Sequence, residues 1–312
     1  MPTIFCSLHS AGIGEEHFAT APTIERLLLL EYPFPFAEEA IRDSRIPEPV
    51  KSFLEEQLQR QVFSRILLIK NNSSSRDCIQ IFGVNNRESD PFIRRRVIAR
   101  YEELPGLDLE SLYRREGGRP LEDSDASKDV GSTLFTEPMF LVCTNGKTDK
   151  CCSKFGLPIY HQLSARSPHT WQCSHVTGDR FAPNIVHLPY TDYYGRLVPE
   201  ELDFFYDTVS RGRLYDPKYR GRSCYTPEEQ AAGYFLRKIV SLYGARELQL
   251  VRTEQPEAGI TESLFTVQGR EKRYRVRVLT SLSEDDFMLN CQQKQGKIKL
   301  FTLRGVEAVT GP

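Results

Sequence analysis

This sequence is short of the features that assign a function at sight. Its 312 residues hold no GxSxG elbow, no phosphate-binding GxxxxGK[ST] loop, no GxGxxG after a strand and no HExxH. The commonest hydrolase, nucleotide-binding and zinc-peptidase chemistries therefore have no foothold. It has no CxxC pair, which removes the thioredoxin redox motif and the short-spaced pairs of a zinc ribbon. It has no excess of one charge: 41 basic residues against 42 acidic give a formal net charge of −1. Neither nucleic acid nor an anionic membrane is expected as a partner. The longest apolar run, Leu27 to Leu30, is far too short to cross a bilayer. The opening MPTIFCSLHSAGIGEEHF lacks the basic-then-apolar pattern of a signal peptide. A cytoplasmic location is expected, where thiols stay reduced and eight cysteines do not make a disulfide framework.

What is present is a concentration of soft ligands. Four of the eight cysteines, Cys143, Cys151, Cys152 and Cys173, fall within one short stretch, and His175 and Asp179 follow directly. Such clustering in a reduced compartment points to a metal or to thiol chemistry. Thiolate with imidazole suits zinc or an iron–sulfur centre rather than magnesium or calcium.

The chain is long enough for two or three domains and buries roughly 75% of its unfolded surface at this size. The predicted order over residues 1–116 is strand (IERLLLLEYP), helix (PEPVKSFLEEQLQRQ), two strands (SRILLIKNN, RDCIQIFGVN) and a closing helix (LDLESLYRR). In the first helix Pro49 takes an early position, and Val50, Phe53, Leu54 and Leu58 form an apolar stripe. The run RRRVIAR, Arg94 to Arg100, reads as a solvated helix face or strand edge. A polar stretch, 117–133, is poor in apolar residues and reads as a linker or exposed loop.

Residues 134–219 repeat the order. MFLV is a strand, a helix runs from about Cys152 to Leu163, HTWQC is a second strand, NIVHLPY and YYGRLV form a hairpin, and PEELDFFYDTVSRG is a helix. Strand, helix, strand, hairpin, helix is the order of a thioredoxin-like half, so the expected fold class is α/β with two related thioredoxin-like units. Residues 220–312 read as a small α+β domain. Thr226-Pro-Glu-Glu229 is a capping box, an apolar stripe runs from Ala232 to Tyr243, Gly244 stops the helix, and several strands follow.

Cys143 falls at the C-terminal end of a buried strand, where α/β sheets place their sites. Cys151 and Cys152 fall at a helix N-terminus, which lowers a thiol pKa and favours the thiolate. His175 and Asp179 share a loop in which Gly178 permits a tight turn. Asp179 has three roles open to it: metal ligand, hydrogen-bond acceptor for His175, or ion-pair partner of Arg180. Cys151 and Cys173 are rival ligands, and Cys173 is a core residue if its side chain turns inward. Cys6, Cys78, Cys224 and Cys291 have no partner nearby in sequence.

The segments CTNGKTDKCCSKFGLP and WQCSHVTGDRFAPNIVHLPYTDYYGRL resemble the sucrase/ferredoxin-like family, which belongs with the thioredoxin-like [2Fe–2S] ferredoxins. ATAPTIERLLLLEYP and RGRSCYTPEEQAA resemble its opening and the entry to its C-terminal domain, so the resemblance covers most of the chain. It implies a [2Fe–2S] cluster held by a widely spaced Cys pair and a later Cys-x3-Cys or His-x3-His pair. On this chain those positions are Cys143 and Cys152, then His175 and Asp179. The aspartate departs from both patterns. The implied function is one-electron transfer to a protein redox partner, with Cys143 and Cys152 on an inner iron and His175 and Asp179 on an outer one. Replacing thiolates by imidazole raises the potential of such centres. The other readings are a zinc-binding or metal-free interaction module, and a thiol oxidoreductase using Cys151 or Cys152. No glycosidase carboxylate pair is read from the sequence.

Overall fold

Leu27 to Leu30 are at most 1% exposed, so the strand they build is buried on both faces, as strands covered on two sides are. The computed structural model describes residues 4–74, 77–114 and 131–309, and the structure is mixed α/β. Its elements begin with α1 (Cys6–Gly12), β1 (Arg26–Glu31), α2 (Glu48–Gln59), β2 (Arg65–Lys70), β3 (Ile79–Asn85) and β4 (Phe92–Ile98). They continue with β5 (Thr133–Phe135), β6 (Met139–Cys143), α3 (Lys150–Arg166), β7 (Thr170–Cys173), β8 (Asn184–Leu188) and β9 (Asp192–Gly195). After these come α4 (Leu202–Ser210), β10 (Tyr219–Arg222), α5 (Pro227–Val240), β11 (Leu248–Glu257), β12 (Ile260–Val267) and β13 (Arg273–Leu282). The short β14 (Phe287–Met288) and β15 (Gln295–Gly296) precede the long β16 (Lys299–Val309). Most of the expected linker, 117–130, lies outside the described residues; Thr133 already belongs to β5.

Two compact units divide the chain. One comprises residues 24–176 and 185–191; the other comprises 1–23, 177–184 and 192–312. In the first, the strands run in the order β8-β6-β7-β2-β1-β3-β4-β5. This order contains one motif twice. β1 pairs in parallel with β2, joined by α2, and antiparallel with β3. β6 pairs in parallel with β7, joined by α3, and antiparallel with β8. The two sets meet where β2 and β7 pair antiparallel, with Ile69 opposite Cys173. The two related α/β halves expected from element order are thus present as repeated topology.

The first half differs from its expected order in its later part. LDLESLYRR forms only a short 3-10 turn, Leu109–Tyr113, started by Asp108, whose side chain accepts from the Glu110 N–H. Its apolar residues Leu109 and Leu112 still enter the core with Leu28, Leu30, Val50, Leu54, Leu68 and Ile81. The arginine run is strand β4, and Arg94 is not solvated. It is 4% exposed, and its guanidinium donates to the Ser132 hydroxyl and carbonyl, which satisfies a charge that burial would otherwise penalise. In α2 the buried stripe is Val50, Leu54 and Gln57 with Phe53 beside it, whereas Leu58 is 39% exposed. Leu58 sits at the edge of the stripe and lines a surface cavity.

In the second unit the strand order β11-β12-β13-β16 makes an antiparallel sheet. Helix α5 packs on it through Ala231, Ala232 and Leu236 against Phe265, Val276 and Val278. The capping box forms as read: the Glu229 N–H donates to the Thr226 hydroxyl and the Thr226 N–H to the Glu229 carboxylate. The helix ends sooner than expected, at Val240, because Ser241 takes the left-handed conformation (φ 55°). Ile239, in the last turn, and Tyr243, beyond the helix, are exposed rather than core. FMLNCQQ yields only the two-residue β14.

Candidate metal centre

The site is assembled from a strand end, a helix start and the exit of a second strand. Cys143 is the last residue of β6 and lies in register with Cys173, the last residue of β7. A short connection, residues 144–149, returns the chain to α3, whose first turn carries Cys151 and Cys152. Asp149 caps that helix, its carboxylate accepting the Cys151 N–H at 2.8 Å, so the loop ends at a defined geometry. Two hydrogen bonds tie the connection to β7: the Thr144 N–H donates to the Cys173 carbonyl, and the Thr144 hydroxyl bonds the Gln172 side chain. Asn145 reaches across to donate to the Ala37 carbonyl at 2.8 Å, and the Thr148 hydroxyl donates to the Glu38 carbonyl.

Gly156 explains how the helix starts so close to the strand. A Cβ there would lie 2.2 Å from the Cys143 carbonyl oxygen, so any larger residue would push α3 off β6. The glycine that weakens a helix on propensity is the condition for bringing Cys152 back to Cys143. Pro158, two residues further on, does not end the helix, which continues to Arg166.

His175 follows β7. The neighbouring Ser174 is anchored twice to β2, its N–H donating to the Leu68 carbonyl and its hydroxyl accepting the Leu68 N–H. Arg65 donates to the His175 carbonyl at 2.8 Å. These bonds fix the backbone and leave the imidazole to turn toward the cysteines. Its Nδ1 is 3.9 Å from the Cys152 sulfur. The ligand atoms of Cys143, Cys152 and His175 all lie within 4.8 Å of one another. Donors sharing one tetrahedral metal with bonds of 2.0–2.3 Å are about 3.5–3.8 Å apart, so the three atoms lie within about 1 Å of the spacing that a shared metal requires. Two thiolates and an imidazole are the donor set of a zinc or iron site.

The electrostatics favour a ligand state. The Cys143 thiol is pushed well below its ordinary pKa, chiefly by a hydrogen bond from Cys152 and then by His175, against the opposing effect of burial. Cys173 is pushed well above its ordinary value by burial and by the neighbouring Cys143 charge. It is 0% exposed and is not one of the three grouped donors, as expected for a core thiol. Cys151 is likewise not among them.

Asp179 is also outside this three-donor group. It opens a 3-10 turn, Asp179–Phe181, after two successive left-handed residues, Thr177 (φ 70°) and Gly178 (φ 80°). A Cβ on Gly178 would strike the Arg220 guanidinium at 2.4 Å. Arg180 makes its ion pair with Glu15, at 2.6 Å. Asp179 contributes its charge to Arg220. One pairing could not be read from spacing at all: the Cys291 sulfur lies 3.6 Å from that of Cys6, although the two stand at opposite ends of the sequence.

The sucrase/ferredoxin-like family model matches residues 18–221, well over half of the chain. The chain belongs to the sucrase/ferredoxin-like family. The matched span contains both α/β halves, the three grouped donors and Asp179. No curated protein and no solved structure matches the chain. Among the described residues no helix is long and apolar enough to cross a membrane.

Proposed function

We propose that this member of the sucrase/ferredoxin-like family is a cytoplasmic iron–sulfur protein that passes single electrons to a protein partner. The observation that carries the reading is that two thiols and an imidazole, donors of the iron–sulfur type, are grouped inside the span that matches the family. Cys143 and Cys152 would hold a [2Fe–2S] cluster from the buried side and His175 from the side nearer solvent. Asp179, four residues after His175, is the proposed fourth donor on sequence spacing alone. The cluster would supply reversible one-electron chemistry. The protein's part is to keep Cys143 as a thiolate, to exclude water from both sulfurs, each 0% exposed, and to hold His175 through Arg65 and Ser174. Imidazole in place of thiolate would place the potential above that of all-cysteine centres.

A second reading rests on the tightness of the same group. Three donors so close together also suit a single ion, and zinc with two thiolates, one imidazole and an open position is a known catalytic arrangement. Thiol oxidoreductase chemistry needs a sulfur that a substrate can reach, and Cys143, Cys151 and Cys152 are all 0% exposed.

The deciding experiment is absorption and EPR spectroscopy of protein purified without air, with iron, acid-labile sulfide and zinc assayed on the same sample. Coloured protein with matched iron and sulfide, whose reduced-state signal changes in His175→Cys, is the expected result. Colourless protein carrying one equivalent of zinc would replace the electron-transfer reading with the second.

A further inference from the structure

We infer that the surface over His175 is a docking site for a basic protein surface. This rests on the metal-centre reading above, and names the partner chemistry of that same site. Of the three grouped donors only His175 is not buried, so a partner comes nearest to the centre on this side. His175 lines an open cavity of about 580 Å³. The segment from Glu38 to Arg42 and residues of α2 also line it, and Ile41, Leu58 and Ile66 are its apolar lining.

The charge on this rim is lopsided once internal pairs are removed. Lys51 is paired with Glu48 and donates to the Arg42 carbonyl. Arg42 is paired with Asp43. Arg65 donates to the His175 carbonyl and keeps its charge, so one cation remains on this rim. Glu38, Glu39 and Glu55 line the same cavity and make no ion pair among the described residues. Their position is not incidental, because Asn145 and Thr148 of the connection that carries the cysteines bond the Ala37 and Glu38 carbonyls. Those two bonds hold the acidic segment and the ligand connection in one frame. Since the whole chain carries a net charge of only −1, attraction of a cation to this face would come from local carboxylates and not from the molecule's overall charge. Complementary patches of this kind raise association rates and fix orientation, and they weaken with salt.

The probe is cytochrome c, a lysine-rich one-electron acceptor. Binding of labelled cytochrome c to the full chain is measured at low and at physiological salt, and carbodiimide cross-links are located by mass spectrometry. The expected result is binding that weakens roughly tenfold or more between the two salt conditions, with cross-links concentrated on Glu38, Glu39 and Glu55. The triple variant Glu38→Gln, Glu39→Gln, Glu55→Gln should lose roughly tenfold in affinity at low salt while keeping its metal content. Unchanged affinity in the triple variant, or cross-links spread over acidic residues elsewhere, would overturn the docking site. A visible spectrum of the same samples reads the metal centre separately. Loss of the cluster reading would leave the binding result to stand or fall by itself.

Discussion

The two halves of the first unit share a strand order and differ in what closes the end of their first strand. β1 ends at Glu31 and is followed by a long connection, residues 32–47, carrying Tyr32, Phe34 and Phe36 into or against the core. The Glu31 carboxylate is buried and accepts the Gln80 N–H, and Tyr101 closes over its carbonyl. β6 ends at Cys143 and is followed by a short polar connection, residues 144–149, that delivers a second cysteine on the first turn of α3. One half therefore fills the strand end with aromatic core, and the other leaves it for a ligand set. The lesson is physical: the repeated βαβ frame supplies position, and connection length with side-chain chemistry decides whether that position is a site.

The comparison breaks first at the cysteines. Cys143→Ser or Cys152→Ser should reduce metal affinity more than 100-fold, since even an outer partner of a metal ligand is worth 10–100-fold. Glu31→Gln in the other half should leave it unchanged. Elemental analysis of the purified variants reads the difference, and an equal loss in Glu31→Gln would mean the halves are not functionally distinct.

As packing elements the halves should be equivalent. Leu30 and Leu141 are both 0% exposed, so Leu30→Ala and Leu141→Ala should each cost about 2–5 kcal/mol in urea denaturation. A much smaller cost in one half would show that its core forms loosely.

Acid sensitivity separates the metal-bearing unit from the other. His17, in the second unit, is lowered to about 4 by burial and then by Arg196, Arg220 and Lys218. The unfolded chain takes up this proton near the ordinary imidazole value of 6.5. Stability is therefore undiminished above that pH, falls as pH drops toward 4, and is level below it, for a total of about 3 kcal/mol. His17→Gln should flatten the denaturation midpoint across that window in metal-free protein. If the slope persists, another group is responsible.

The smallest expected effect sharpens the comparison most. Gly156→Ala places a Cβ against the Cys143 carbonyl and should cost about 1–3 kcal/mol. It should also weaken metal binding by displacing α3. Loss of stability with metal affinity intact would show that the helix position is not what sets the ligand distance.

Much of this protein was legible as sequence, because local patterns fix local structure. The leucine run of β1, the capping box of α5 and the helix at α2 follow from burial and hydrogen-bonding rules that act over a few residues. The candidate donors Cys143, Cys151, Cys152, Cys173 and His175 follow from residue type and placement at strand and helix ends, and the choice of Cys143 and Cys152 among the thiols comes only with the family resemblance. The places where the reading fell short depend on neighbours distant in sequence. LDLESLYRR has helical spacing, yet packing against β3 and β4 takes it as a 3-10 turn. Arg94 reads as a solvated charge, yet Ser132 supplies the partners that let it be buried.

The sequence by itself determined the donor types, the α/β class and the order of most elements along the chain, since these rest on chemistry and periodicity carried by contiguous residues. Only the tertiary structure decided which thiols share the site. Cys143, Cys151, Cys152 and Cys173 are equivalent as letters. The close approach at Gly156 brings the start of α3, and with it Cys152, back to Cys143, while Cys173, beside Cys143 on the neighbouring strand, stays outside the donor group, its thiol held neutral by burial and by the charge beside it.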